Sequence, residues 1–221
     1  MPNIRIAAAC SLALCGTPAA AQTREDEQVW INVTAMGSIK DRLIYFAEVQ
    51  PRVGDGVSRL EALLLRPAIG YQVTRRLALY MGYAHVEEGP ADRDEERLFQ
   101  QATWTVPGLR SGELQSRTRL EQRWRSDGRD MQWRLRQMVR YEHEIVPRVA
   151  ALGSAEAFFA FNKPDWRPRS GFDQLRSFAG AEIRLKGRST IEAGYLNQLI
   201  DLPGRAKQVN HVASIALFVR R

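Results

Sequence analysis

Polar and apolar residues alternate with a period of two along much of the chain, most clearly in the segment from Glu113 to Arg125. This period is typical of a β-strand. One face of the segment is uncharged and partly apolar. The other face carries charged and amide side chains: Glu113, Gln115, Arg117, Arg119, Glu121, Arg123 and Arg125. In a soluble sheet the ionic face would meet water. In a transmembrane barrel it would line a wet interior while the other face met lipid.

The alternation recurs in short segments that are bounded by turn residues, which indicates a chain built of many strands. Val, Ile, Tyr, Trp, Phe and Thr recur where a helix would prefer Ala, Glu and Lys. The candidate strands are Val29–Ile39, Arg42–Val53, Arg59–Val73, Leu77–Val86, Glu95–Thr105, Glu113–Arg125, Met131–Glu144, Ala151–Asn162, Phe172–Lys186, Thr190–Ile200 and Gln208–Arg220.

The connections after Val73 alternate between short turns and longer polar loops, the asymmetry of outer-membrane barrels. The predicted fold class is therefore all-β, an antiparallel up-and-down transmembrane β-barrel of about 10 to 12 strands. Single-chain bacterial barrels use even strand numbers, so we expect ten or twelve, with one wrong boundary near Ser38–Asp41. The alternative is a soluble sandwich whose apolar faces pack against each other.

Charged residues on one face of several strands form the candidate site. They are mainly arginine, since the chain has 28 arginines and four lysines, and arginine suits partly buried, bidentate pairing with carboxylates. We expect a lumen-facing charge network made of Arg117, Arg119, Glu121, Arg123, Arg134, Arg136, Arg140, Glu142, Arg176, Glu182, Arg184 and Glu192.

This network has two interpretations. In the first, salt bridges fill a narrow barrel, and removal of one member leaves an unpaired charge. In the second, the lumen is an anion-preferring pore whose lining draws anions in, through Arg117, Arg119, Arg123, Arg134, Arg136 and Arg140. Open aqueous channels are associated with about 16 to 18 strands, so a smaller barrel favours the filled interior.

The first residues have the pattern of a secretory signal peptide. An apolar run from Ile6 to Leu14 precedes the small residues Ala19–Ala21, which predicts cleavage after Ala21 and a single barrel domain over residues 22–221. Both cysteines, Cys10 and Cys15, fall inside this signal. The mature chain would then have neither disulfides nor a thiolate nucleophile. No later apolar run is long enough for a transmembrane helix.

No motif predicts catalysis or a bound cofactor. The three histidines, His85, His143 and His211, lack metal-ligand spacing, and no nucleophile elbow, P-loop or dinucleotide motif occurs. We therefore expect no enzymatic activity, no metal and no cofactor. The formal charge of +7 is mainly arginine interleaved with glutamate, which together with export disfavours nucleic acid as a partner.

Aromatic residues near the predicted strand ends are candidates for the girdles that mark membrane interfaces in barrels. The candidate girdle residues are Trp30, Tyr45, Tyr71, Tyr80, Trp104, Trp124, Trp133, Phe172 and Tyr195.

Several strand motifs together resemble a known bacterial family. These are Arg66–Tyr71 before Gly82–Ala84, the Arg/Glu ladder of Gln115–Arg125, Arg134–Arg136, and Gly194–Gln198 with His211. The chain is similar over nearly its whole mature length to domain-of-unknown-function family 2490. The resemblance implies an exported, outer-membrane β-barrel and implies no activity.

The sequence therefore predicts a bacterial outer-membrane barrel of unknown specific role, with its interior filled by an Arg/Glu network. The expected partners are outer-membrane lipid and the barrel assembly machinery. The alternatives are a small-solute, anion-preferring pore with a small anionic solute as partner, an outer-membrane lipid-acting enzyme, and a soluble periplasmic binder of apolar ligands.

Overall fold

The chain is built of β-strands throughout the part that the computed structural model describes, residues 23–109, 112–167, 169–202 and 207–221. One short 3-10 turn, Gly89–Ala91, interrupts them. The predicted signal peptide lies outside the described residues. The strands are β1 Arg24–Lys40, β2 Leu43–Gly54, β3 Arg59–Gln72, β4 Leu77–Glu88, β5 Arg93–Leu109, β6 Gly112–Arg125, β7 Gln132–Val146, β8 Val149–Ala160, β9 Gly171–Arg184, β10 Thr190–Ile200 and β11 Gln208–Arg220.

The strands form one closed barrel, which confirms the predicted all-β barrel fold. Each strand pairs antiparallel with the next along the chain, as in the pairing of β5 with β6 and of β6 with β7. The seam is different, because β1 pairs with β11 in parallel, from Arg24 opposite Gln208 to Met36 opposite Arg220.

The barrel has eleven strands, which lies within the predicted range of about 10 to 12, but the expectation of an even number, ten or twelve, was wrong. In an up-and-down barrel with an odd number of strands, the first and last strands run in the same direction. They can then close the wall only by parallel pairing, which this chain uses. The doubted boundary at Ser38–Asp41 is real: β1 ends there in a register shift, and the turn at Asp41 adopts a left-handed φ of 50°.

The two open ends of the barrel differ in the length of their connections. At one end, the turn mouth, strands are joined through residues 41–42, 73–76, 147–148 and 185–189. At the other end, the loop mouth, β8 is followed by residues 161–170 and β6 by residues 126–131. The short turn after β1 thus lies on the same side as the other short turns.

The outer surface of the wall is apolar all the way round. Every strand contributes at least one large hydrophobic side chain that is more than a third exposed, and one example from each strand, in chain order, is Ile31, Val49, Leu65, Met81, Leu98, Trp124, Val139, Phe159, Ile183, Tyr195 and Ile215. The alternate positions point inwards, where most of the buried polar and charged residues lie. The period-two pattern therefore separates a charged interior from an apolar exterior.

A small aromatic cluster fills part of the interior on the side of β2 to β5. Phe46 stacks on Phe99 with ring centroids 6.2 Å apart and contacts the edge of Tyr80 at 5.3 Å. Gly82 makes room for this packing, because a Cβ at that position would lie 2.3 Å from the Phe99 ring. The remaining interior walls are lined mainly by polar groups, which form the candidate site.

Candidate functional site

The structure places all twelve residues of the predicted charge network on the interior face of their strands. Arg184 is exposed at the turn mouth. Four residues are half-buried: Arg117, Arg140, Glu142 and Arg176. The other seven are buried: Arg119, Glu121, Arg123, Arg134, Arg136, Glu182 and Glu192.

The centre of the interior is occupied by an ion-pair network across β6, β7 and β8. Glu121 accepts from Arg134 at 2.6 Å and from Arg136 at 2.8 Å. Arg136 also donates to Glu156 at 3.0 Å, and Arg117 donates to the same carboxylate at 2.9 Å. Because Arg117 on β6 reaches over β7 to Glu156 on β8, the network ties strands that are not neighbours in the wall.

Several members of the network were missed by sequence reasoning. Glu95 on β5 binds Arg97 at 2.7 Å and also pairs with Arg123 on β6. Between β3 and β2, Arg66 Nη1 donates to both carboxylate oxygens of Glu48, at 3.0 and 2.9 Å. Each of these residues, like Glu156, occupies the interior parity of its strand. That parity was the available signal, but the charges are too sparse along β2, β3 and β8 to form a visible ladder.

Near the turn mouth, a second cluster gathers three carboxylates around one guanidinium. Arg140 donates to Glu142 at 3.2 Å, to Glu182 at 3.4 Å and to Glu192 at 2.8 Å. These groups come from β7, β9 and β10. Among the described residues, Arg140 is the one cation that pairs with all three acids; Arg184 approaches Glu142 from the rim at 3.6 Å.

Towards the loop mouth, two arginines share a tryptophan. The guanidinium carbon of Arg52 lies 4.1 Å from the centroid of the Trp30 ring, and that of Arg176 lies 4.9 Å from it. Arg176 also stacks on Phe158 at 4.9 Å. Neither arginine makes an ion pair with any residue that the structure describes. These contacts bring β1, β2, β8 and β9 together inside the barrel.

A cavity of about 450 Å³ opens beside this pair, within the loop-mouth half of the interior. Nine arginines and four carboxylates line it, together with side-chain amides. Seven of the arginines pair with carboxylates; Arg52 and Arg176 are the two that do not, among the described residues. The cavity is therefore strongly cationic.

The segment after β8 folds over this cavity. The Trp166 ring lies over two guanidinium groups of β6, 5.2 Å from Arg123 and 4.9 Å from Arg125. The Trp166 indole nitrogen donates to the Asp130 carbonyl at 2.8 Å, which attaches the segment to the β6–β7 loop. Trp166 therefore forms part of the roof at the loop mouth.

Asp165 fixes the same segment through backbone hydrogen bonds. Its carboxylate accepts from the N–H groups of Arg129 at 2.9 Å and Asp130 at 3.3 Å. It also accepts from the Trp166 N–H at 2.9 Å. These donors, the Arg129 N–H first, hold the pKa of the exposed Asp165 carboxyl below its ordinary value of 3.8.

The histidines lie apart from one another on the outer surface of the wall. His85 contacts Glu96 at 2.9 Å, His143 stacks beside Tyr141, and His211 hydrogen-bonds the Tyr195 hydroxyl at 2.6 Å. Within residues 23–221 as described, no group of three or more His, Cys, Asp or Glu side chains could hold a metal ion. The same part of the chain contains no helix long and apolar enough to cross a membrane.

Two of the aromatic residues predicted for the outer girdles do not lie on the outer face. Trp30 and Tyr80 face the interior, where Trp30 is buried under arginines and Tyr80 packs on Phe46. Both occupy even positions in strands whose even side chains point inwards, so they cannot belong to an outer girdle. Trp104, Trp124 and Trp133, in contrast, are exposed on the outer face.

Comparison with known proteins identifies relatives without a known activity. The family model described as protein of unknown function DUF2490 matches residues 27–210. An uncharacterised protein of Methylorubrum extorquens is 44% identical over 224 residues, covering 99% of this chain and 97% of the relative. No solved structure matches the chain significantly. The chain therefore belongs to the DUF2490 family.

Proposed function

We propose that this protein is an outer-membrane β-barrel whose interior Arg/Glu network holds the wall together and fills the lumen. The observation that carries the proposal is the apolar outer surface, to which all eleven strands contribute exposed hydrophobic side chains. An apolar surface that encircles a protein is costly in water and fits a lipid environment. The charged interior would make a poor site for an apolar ligand, which disfavours the soluble periplasmic binder.

Strand length supports the same location. The strands are 11 to 17 residues long, and a tilted strand needs about 9 to 11 residues to cross the hydrocarbon core. Outward aromatic side chains lie near both mouths. Trp124, Trp133 and Phe159 stand one residue from a strand end at the loop mouth, and Trp104 and Tyr71 lie towards the turn mouth. Two such bands are typical of barrels at the two membrane interfaces.

Some polar side chains on the outer face satisfy one another. Gln100 and Gln122 exchange amide hydrogen bonds of 3.3 and 3.0 Å. Nearby, Thr118 donates to Gln137 at 2.6 Å, and the Gln137 amide donates to Ser116 at 2.9 Å. Because a polar group in hydrocarbon costs little only when it is hydrogen-bonded, this pairing makes the patch compatible with lipid.

A filled barrel is favoured over an anion-conducting pore by the central network. The side chains of Glu121, Arg136 and Glu156 are at most 9% exposed, so solvent barely reaches these ion pairs from either mouth. The arginine excess at the loop mouth would favour anion entry, but these ion pairs stand in the path to the turn mouth. The proposal includes outer-membrane lipid and the barrel assembly machinery as partners and assigns no catalytic activity.

Cell fractionation tests the location. The protein is expected in the outer-membrane fraction after a carbonate wash, and it should migrate faster on electrophoresis when left unheated, as folded barrels do. Recovery in the soluble periplasmic fraction would contradict the proposal. A point variant such as Met81→Asp, on the outward face of β4, should lower the folded fraction in membranes, because a charge on the lipid face is destabilising.

Planar-bilayer recording tests the filled lumen. The folded protein is expected to show no steady ion conductance. Steady, anion-selective conductance that changes in Arg136→Glu would favour the pore instead.

A further inference from the structure

We propose that the loop-mouth cavity is a binding site for a small, free organic oxyanion, a carboxylate or phosphate, held by Arg52 and Arg176 beside Trp30. The inference goes beyond the proposed membrane location, since it concerns what the folded barrel binds and holds in any environment that keeps it folded. Its basis is a pair of interior arginines that form no ion pair with any described carboxylate.

Neutral amides position both arginines. The Gln50 side-chain oxygen accepts from Arg52 Nε at 3.1 Å and from Nη2 at 2.6 Å. When the Gln174 amide is oriented to satisfy its neighbours, its oxygen accepts from Arg176 Nε at 2.5 Å and from Nη2 at 3.0 Å. An amide fixes a guanidinium without neutralising its charge, so both groups remain full cations directed at the cavity.

The neighbouring carboxylates are already engaged. Glu156 stands opposite Arg176 in the register of β8 and β9, yet its carboxylate binds Arg117 and Arg136. Glu48 lies two positions along the interior face of β2 from Arg52 and pairs with Arg66. Among the described residues, these two carboxylates are thus not free to pair with Arg52 or Arg176, which leaves both arginines available to an acceptor from outside the chain. Two unpaired interior charges are costly unless something compensates them, and a bound anion is the simplest compensation.

One further donor in the cavity lacks an acceptor. The Nε atom of Arg125, a lining residue, is buried without a hydrogen-bond partner within the described part of the chain. Side-chain amides of Gln28, Gln198 and Asn210 also line it, although Gln28 donates to Asp26 and Asn210 donates to Gln198. Cationic and amide donors that converge on one space are the arrangement that recognises carboxylate or phosphate oxygens.

The size and position of the cavity indicate a free solute. About 450 Å³ lies within the range of small-molecule sites, roughly 300 to 1,000 Å³. The cavity is inside the wall and partly roofed by Trp166, whereas the acyl chains of a lipid would lie outside the wall. The central ion pairs separate it from the turn mouth, so it is a blind site, which binds a solute without conducting it.

Titration of the purified, folded full-length protein tests the site. Inorganic phosphate and citrate would be added at constant ionic strength, with chloride as the balancing anion, while tryptophan fluorescence is followed. We expect saturable binding of at least one probe. Arg52→Gln and Arg176→Gln should each weaken it roughly tenfold to a hundredfold, the range for loss of one charge-assisted contact. Arg52→Lys, which keeps the charge but not the planar fork, should retain part of the affinity.

The matched control is Arg184→Gln, which removes one positive charge at the turn mouth, away from the cavity. It should bind like the parent, which separates a local site from a general effect of net charge. The unheated electrophoretic mobility of each variant verifies that the barrel is folded. No saturable binding of either probe by the folded parent, or equal affinity in Arg52→Gln, Arg176→Gln and the parent, would overturn the proposal. Because this measurement uses purified protein, it is independent of the fractionation result.

Discussion

Arg140 and Arg176 both project into the barrel interior, yet one meets three carboxylates and the other meets none among the described residues. At the turn mouth a single guanidinium separates acids that would otherwise repel one another. At the loop mouth two guanidinium groups share an aromatic ring and amide acceptors. Arginine therefore has two roles in one lumen. Arg140 neutralises the negative charge of nearby carboxylates, whereas Arg52 and Arg176 keep their own positive charge unpaired.

The largest expected effect comes from removing the cation at the turn mouth. Arg140→Gln would leave Glu142, Glu182 and Glu192 facing one another without their shared partner. We expect the free energy of unfolding to fall by about 3 kcal/mol, because the three carboxylates would stay buried without the positive charge that now compensates them. Equilibrium denaturant unfolding in detergent measures it. Arg184 is exposed, so Arg184→Gln should lower the free energy of unfolding by less than about 1 kcal/mol. Equal losses in Arg140→Gln and Arg184→Gln would contradict this prediction.

A second substitution should repair part of that damage. In the Arg140→Gln background, Glu182→Gln removes one of the repelling charges and is expected to restore about 1 to 2 kcal/mol, whereas in the parent, where Arg140 also binds Glu182, the gain should be much smaller. Coupling of this size is typical of residues in one ion-pair network. A double-mutant cycle measured by unfolding gives the coupling energy directly. Additive effects would mean that the three acids do not act on one another through Arg140.

The arginines at the loop mouth should behave in the opposite way. In the absence of added phosphate or citrate, Arg176→Gln is expected to change the free energy of unfolding by less than about 1 kcal/mol. Loss of stacking on Trp30 and Phe158, worth about 0.5 to 1 kcal/mol or more, is offset by relief of an unpaired charge. The same unfolding experiment gives the value. A loss as large as that of Arg140→Gln would show that Arg176 is structural.

The smallest expected effect concerns the roof of the cavity. Asp165→Asn should increase cleavage by a protease within residues 161–170 at neutral pH without changing global unfolding. The folded-state pKa of Asp165 is depressed, so its contribution is present above 3.8 and is lost as the pH falls through the lower folded-state value. The parent should therefore approach the variant only in strong acid. Similar cleavage of both proteins at neutral pH would exclude a role for Asp165 in holding the roof.

The sequence was sufficient to predict which residues of the central network face the interior. The period-two pattern placed Arg119, Glu121, Arg134 and Arg136 on interior positions, because parity alone decides which face of a strand a side chain occupies. The eleven candidate strands also correspond one by one to the observed strands. These features are local, and a local pattern suffices to predict them.

What the sequence could not reveal depends on the stagger between strands. Parity does not say which charge on β7 reaches which charge on β10, so the Arg140–Glu192 pair could not be predicted. The isolated Arg52 and Trp30 showed no ladder, and Trp30 was assigned to the outer surface. The parallel seam was missed because the pattern of β1 is the same whichever way its partner runs.

The seam between β1 and β11 gives the barrel wall a direction. Because the two strands run parallel over 13 residue pairs, Arg24 lies at the loop mouth and Arg220 at the turn mouth, roughly 40 Å of strand apart. A short linker therefore cannot join the two to make a circularly permuted barrel. If the barrel spans a membrane, as proposed, a tag placed before Arg24 and a tag placed after Arg220 would lie on opposite sides of that membrane. Each side of that membrane would then be reached by one end of the β1–β11 seam only.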